Sequence, residues 1–191
     1  MKSFIIRLSE FDNSVQWATR AYNSGKHHNW DINYHEGTNG QLVSLEDFNL
    51  FANTRFKKGS MRLQRAGVRG CFLSHFSLWK KCIELNVPIC ILEHDVTIRQ
   101  PFPTVKFNDI LKFATGPQGK PLYMGDWHAG AMAYCVSPNG AKKLIQFVQD
   151  HGAMPADVML CTGIIHLDFY DPIDTVVTYV TDDFSFTEDF R

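Results

Sequence analysis

The sequence predicts an α/β fold in which a mostly parallel sheet is covered by helices, and three features predict it. Short continuous apolar runs, Phe4-Ile5-Ile6 and Ile89-Cys90-Ile91-Leu92, have the character of strands buried on both faces. Apolar residues recur at helical spacing between and after such runs, so strand and helix alternate along the 191 residues. The second run then ends abruptly in charge, at Glu93-His94-Asp95. This length suits one compact domain over residues 1–191, with an acidic tail at about 181–191.

The elements follow in order. Val15, Ala18 and Tyr22 succeed the first strand at helical spacing until Gly25 stops the pattern. Residues 25 to 70 are poorly periodic and rich in Asn, Gly, His and basic residues, with a weak helical hint over 45 to 52; a segment of this kind reads as functional loop. The clearest helix runs from 71 to 85, where Phe72, Phe76, Trp79 and Ile83 form one apolar stripe and Leu78, Cys82 and Leu85 a second, so it is buried on most sides. Beyond Pro88 and the second strand, Leu122-Tyr123-Met124 and residues 131 to 136 read as strands. Ser137-Pro138 is an N-cap with proline at the first helical position, and Ala141, Leu144, Ile145 and Val148 continue that helix to Gly152. Pro155 opens a shorter helical run through Leu160, and β-rich segments at 164 to 170 and 175 to 180 complete the pattern.

A composition of 45% hydrophobic and 13% aromatic residues excludes a disordered chain. The formal charge of −1 conceals an uneven distribution. No acid lies between Asp47 and Glu84, where Arg55, Lys57, Lys58, Arg62, Arg65, Arg69, Lys80 and Lys81 fall. That run is either a solvated surface or a surface that attracts an anionic substrate. Five cysteines, odd in number and without a CxxC pair, read as reduced core thiols rather than a zinc site or a nucleophile. Arg7, Glu10 and Asp12 follow the first apolar run too soon for a signal peptide, and no stretch approaches a membrane span, so the expected location is cytoplasmic.

In parallel sheets ligands bind beyond the carboxyl ends of the strands, which gives Glu93-His94-Asp95 its interest. Two carboxylates one residue apart can converge on magnesium or manganese, hard cations that take oxygen ligands and bridge a diphosphate. On that reading Asp95 is the direct metal ligand, and Glu93 binds through water or touches a ribose. The other reading is a charged turn after a buried strand.

Gly70-Cys71-Phe72-Leu73-Ser74-His75, then Trp79, then 88 to 96 with Leu92-Glu93-His94-Asp95-Val96, resembles glycosyltransferase family 25, in which a GC-x-x-SH helix precedes a strand ending in Glu-Asp-Asp. Its bacterial members build lipo-oligosaccharide and its animal members glycosylate collagen. Further pieces fit in order: an Arg-bearing turn at Arg7, Glu36-Gly37, Ala133-Tyr134-Cys135-Val136-Ser137 with Gly140-Ala141-Lys142-Lys143-Leu144, and Pro155-Ala156-Asp157. The resemblance spans roughly residues 3 to 160. It implies a Rossmann-like fold of the GT-A nucleotide-sugar-binding type, a UDP-sugar or similar donor, a divalent cation (Mn or Mg), and inversion at the anomeric carbon. It places donor contacts at Arg7, Gly70, Ser74 and His75 and at Glu93, His94 and Asp95, the metal pair being Asp95 and Glu93.

Inversion in one step needs a group that takes the acceptor hydroxyl's proton. Asp157 is the first candidate and His128, in the loop with Trp127, the second. Asp157 reads equally as an acid complementing a helix dipole, and His128 as a loop histidine with no role. Ser74 and His75 are expected near the start of the buried helix, where its amides can meet the donor or the side chains can bond within the core. His166 reads as a core histidine before a late metal ligand, and Trp30 and Trp127 as packing or as platforms for a sugar or base.

Two departures from the family pattern matter. His94 replaces the central acid, removing one negative charge and leaving the metal requirement open. Val68-Arg69 stands where the family has an acid, so donor contacts there can differ. Three functions follow: transfer to a saccharide of lipopolysaccharide type, transfer to a hydroxymethylated base in DNA with the basic 55–69 segment on phosphates, or an inactive sugar- or nucleotide-binding relative.

Overall fold

A computed structural model of the protein describes residues 1–49, 62–113, 130–161, 163–171 and 175–179. Its centre is a six-stranded sheet. β1 (Lys2–Arg7), β2 (Asp31–Glu36) and β3 (Ile89–Leu92) run parallel, with β1 between the other two. β6 (Ala133–Val136) lies antiparallel between β3 and β5 (Ile110–Lys112), and β7 (Leu167–Phe169) pairs parallel with β5 on the edge. The expected parallel sheet is therefore interrupted by one reversed strand. β4 (Val96–Ile98) and β8 (Val177–Tyr179) form a separate antiparallel ribbon.

Both sheet faces are covered, because successive residues of each strand point to opposite sides. Phe4, Ile6, Ile89, Ile91, Tyr134 and Val136 meet α3 (Ala66–Leu85) and α4 (Pro138–His151). Ile5, Cys90, Leu92, Ala133 and Cys135 meet α1 (Asp12–His27) and the β4/β8 ribbon. The Phe72, Phe76 and Trp79 stripe of α3 is packed in the first layer with its rings in mutual contact. α4 begins as its sequence dictates: the Ser137 hydroxyl accepts from the Gly140 amide at 3.0 Å, with Pro138 in the first turn. α1 ends with Asn29 at φ 59° and α3 with Asn86 at φ 50°, the left-handed stop that asparagine tolerates.

Two sequence-based boundaries shift. Residues 31 to 36, expected to be irregular, are β2, paired along its length with β1. α3 begins at Ala66 rather than Cys71, since the Arg69 guanidinium is buried against the carbonyl oxygens of Leu63, Gln64 and Gly40 at 2.9–3.1 Å. Those carbonyls satisfy a charge that otherwise marks a surface loop. α2 (Leu45–Asn49) and α5 (Ala156–Met159) are single short turns. No helix among the described residues is long and apolar enough to cross a membrane. The strand expected at 122 to 124 lies outside the described residues.

Candidate functional site

The chain leaves β1 toward β2 on one side and, later, enters β3 on the other, and beyond the carboxyl ends of strands at such a reversal is where α/β sheets bind their ligands. Glu93, His94 and Asp95 form the turn there, between β3 and β4. The turn is held to the sheet by the Glu93 amide, which donates to the Met132 carbonyl at 2.8 Å. It is joined to β1 through α1: Ser14 Oγ accepts from the Leu8 amide at 2.9 Å and lies 3.4 Å from His94 Nδ1. The His94 ring lies against Trp17, with centroids 5.4 Å apart.

The three side chains have different surroundings. Asp95 is buried, 8% exposed, and its Oδ1 has no hydrogen-bond partner among the described residues. Burial first, and the neighbouring Glu93 charge second, push its carboxyl up to about 8, while its own backbone amide and Arg20 pull the other way. For Glu93, burial acts upward, but the hydrogen bond and charge of His75, with His94 behind them, hold the carboxyl below its usual range. Burial lowers His94. The pair therefore separates, Glu93 carrying charge and Asp95 keeping a proton at neutral pH.

Glu93 is anchored by a chain of buried groups. Trp79 Nε1 donates to the Tyr134 hydroxyl at 2.9 Å, and that oxygen lies 2.8 Å from His75 Nδ1. Indole N–H can only donate, so the Tyr134 proton is free to point at Nδ1, which leaves the His75 Nε2 proton facing Glu93 Oε1 at 3.4 Å. Cys71, one helical turn before His75, points its thiol at the same oxygen at 3.8 Å. Burial, then the Glu93 charge, raises that thiol well above its usual range, so it is not an activated nucleophile.

The sharp separation of Asp95 and Glu93 has a consequence for stability. Between about pH 4 and about 8 the folded protein keeps an Asp95 proton that the unfolded chain has lost, so this group's contribution falls as pH rises through that window. Asp95→Asn has no proton to lose. In the presence of chelator, the melting temperature of Asp95→Asn minus that of wild type is expected to grow from pH 5 to pH 8, by an amount equivalent to a few kcal/mol at most. A difference that stays flat across the series refutes the placement of that proton.

The other expected site residues have surroundings of their own. Ser74 Oγ donates to the Gly70 carbonyl and accepts from the Thr38 amide, at 2.7 and 2.8 Å. Because α3 begins at Ala66, Ser74 and His75 lie in its third turn, past the amides that a ligand can reach. Gly70 packs against Gly40, where helix and turn backbones touch. Arg7 stacks its guanidinium 4.1 Å over the Tyr34 ring and places Nε 3.8 Å from Glu36. Asp157, in the first turn of α5, is one-third exposed and 3.7 Å from Arg62. Lys112 is buried nearby, lowered to about 8 by burial, with Asp157 pulling it back up. Trp30 is core, its Nε1 bonded to the Gln100 carbonyl at 2.9 Å. His166 is exposed and 3.2 Å from Asp168, which corrects its reading as a core histidine. His128, Trp127 and the tail at 181–191 lie outside the described residues.

The basic run also looks different in three dimensions. Arg69 faces inward, Arg62 pairs with Asp157, and Lys80 and Lys81 lie 4.9 Å over the rings of Phe76 and Phe4. These cations are engaged within the fold rather than arrayed for phosphates; residues 50 to 61 lie outside the described set.

Sequence reasoning missed Cys71, Tyr134, Trp79 and Ser14 as supports of the turn. The four-residue spacing of Cys71 and His75 on a helix was a usable signal. Tyr134 and Ser14 arrive from distant elements and carried none.

The fold is similar to that of a solved galactosyltransferase. The galactosyltransferase LgtC, in complex with donor and acceptor sugar analogues, is 12% identical, with 94% of this chain and 86% of that one covered and a TM-score of 0.50. A glycosyltransferase involved in glycosylation of the major capsid of PBCV-1 is 11% identical over 96% of both chains, with a TM-score of 0.48. A mutant Drosophila galactosyltransferase 7 complexed with manganese, UDP-Gal and xylobiose is 8% identical over 94% and 70%, with a TM-score of 0.45. No curated protein matches the sequence. The sequence profile of glycosyltransferase family 25 (LPS biosynthesis protein) matches residues 22–118, which take in β2, α3, and the Glu93 to Asp95 turn. The GT-A sheet and this match over half the chain lead to one conclusion: the protein is a glycosyltransferase and belongs to family 25.

Proposed function

We propose that the protein moves a hexosyl or pentosyl unit from a nucleotide-sugar donor of UDP-sugar type to a hydroxyl of a saccharide of lipopolysaccharide type, with inversion and with Mn or Mg held at Asp95. The observation that carries this reading is the Asp95 carboxylate: buried, with a partnerless oxygen, beside charged Glu93 in the turn beyond the carboxyl end of β3. An all-oxygen donor pair of this kind fits a hard divalent cation, Asp95 directly and Glu93 through its second oxygen by way of water or on the donor ribose. When bound, such a cation would offset the charge that builds on the departing diphosphate. Neutral His94, in the place of the family's central acid, leaves Asp95 as the direct ligand.

In the transfer itself the acceptor oxygen bonds to the anomeric carbon from the face opposite the diphosphate, whose oxygen takes the electrons of the breaking bond. The acceptor proton passes to the Asp157 carboxylate, which one-third exposure leaves open to a substrate. His128 is the second candidate for that base. The whole chain, 1–191, works as one domain on this reading, in the cytoplasm.

A thermal-shift screen of UDP-, GDP- and CMP-sugars with and without manganese tests the donor, since a ligand of the folded state raises its stability. A shift with none of them rejects the reading. Asp157→Asn is expected to lower turnover about a hundredfold or more while leaving the donor-induced shift unchanged. Retained turnover removes Asp157 from the role of base. Engagement of Arg62, Arg69, Lys80 and Lys81 within the fold favours the saccharide acceptor over DNA.

A further inference from the structure

α3 turns Cys71 and His75, four residues apart, to one side of the helix, and Glu93 meets them from the end of β3. His75 Nε2 lies 3.4 Å and Cys71 Sγ 3.8 Å from the same oxygen, Glu93 Oε1, and the three atoms lie within 4.8 Å of one another. Tetrahedral zinc, with bonds of about 2.0–2.3 Å, holds its ligand atoms roughly 3.3–3.6 Å apart. Two of the three separations are thus within a few tenths of an ångström of that geometry.

We propose that Cys71, His75 and Glu93 form a binding site for a borderline-soft divalent cation of the Zn(II) type, with the fourth position open to water. The proposal is independent of the transferase reading, with which it shares only Glu93. Three observations support it. Paired ligands at positions i and i+4 of one helix are a spacing that holds zinc on a single face. The donor set of sulfur, imidazole nitrogen and one carboxylate oxygen suits zinc and discriminates against the hard cations expected at Asp95. His75 is fully buried and already has an oxygen, the Tyr134 hydroxyl, 2.8 Å from its other ring nitrogen, the second interaction that fixes a metal-binding histidine. Cys71 and Glu93 are only partly buried, Glu93 being 28% exposed, which leaves an ion a way in from solvent.

As the metal binds, a Cys71 S–Zn bond forms and the thiol proton leaves to a buffer base. His75 presents the Nε2 lone pair, its proton now on Nδ1 and donated to the Tyr134 oxygen, whose own hydroxyl hydrogen rotates out of that contact. No electron changes hands.

The test uses the full chain, reduced and stripped of metal, with equimolar Co(II) as the optical probe. The expected result is a sulfur-to-cobalt charge-transfer band in the near ultraviolet, intense tetrahedral visible bands, and stoichiometric displacement of both by Zn(II). Cys71→Ser is expected to abolish the charge-transfer band and weaken Zn(II) binding against a chromophoric chelator, with its melting temperature confirming the fold. Asp95→Asn is expected to leave the cobalt spectrum unchanged, although it removes the manganese-dependent donor shift. A six-coordinate spectrum without the sulfur band overturns the proposal, as does a sulfur band that survives Cys71→Ser. A spectrum lost in folded Asp95→Asn also overturns it, because the ion then sits at the neighbouring carboxylate.

Discussion

Asp95→Ala is expected to lower sugar transfer about a thousandfold while the protein stays folded. The substitution removes the one carboxylate of the turn that is buried and has an oxygen without a partner among the described residues. Glu93 is directed toward His75 and Cys71, and His94 toward Ser14 and Trp17. Because the burial of Asp95 opposes its ionisation, the loss of this side chain costs the folded state little and should raise its melting temperature at pH 8. Activity and stability thus move in opposite directions, as expected for a group placed for chemistry. The measurement is turnover with the donor identified by thermal shift, alongside the melting temperature without metal. Transfer within a few-fold of wild type sinks the assignment.

The second large effect is structural. Gly40→Ala is expected to destabilise the protein by about 3 kcal/mol or more. A methyl group on Gly40 would overlap the Ala66 carbonyl oxygen and lie 2.7 Å from the Gly70 amide nitrogen. Both obstacles are backbone in the first turns of α3, so neither can rotate away. The Arg69 guanidinium clamps the same contact by bonding the Gly40 carbonyl at 2.9 Å. For a chain of this size the melting temperature should fall by about 6–12 °C in scanning calorimetry. Gly163→Ala is the control, since a methyl group there meets nothing within 4 Å. Equal melting temperatures for the two variants would show that the turn and α3 do not pack as described.

These two regions also mark how far the sequence was legible. β1, β3, α1, α4 and the body of α3 were readable because each carries an apolar run or stripe matched to a buried face. β2 was not. In Asp31-Ile32-Asn33-Tyr34-His35-Glu36 only Ile32 is buried, so its strand identity comes from pairing with β1 rather than from its own pattern. The start of α3 was hidden because Ala66 to Gly70 holds two glycines and an arginine, residues that act as loop signals until tertiary contacts absorb them. The reversed direction of β6 left no trace, since apolar runs do not encode strand polarity.

At the candidate site, the position of Glu93 and Asp95 after a buried strand was legible, but not the difference in their surroundings. That depends on Tyr134 and Trp79, which lie far along the chain and read only as core aromatics. Ser74 and Gly70 were adjacent in sequence to residues that matter at the turn, but their contacts within the fold were not legible: Ser74 bonds the Gly70 carbonyl, and Gly70 packs on the backbone of Thr38 and Gly40.

The reversed β6 strand has an implication for how such an enzyme can diversify. Tyr134 sits opposite Ile91, within the body of the sheet, and from there steadies His75. The support beneath Glu93 is therefore built from the interior of the sheet. Changes confined to the segments around the sheet should therefore leave the orientation of Glu93 untouched.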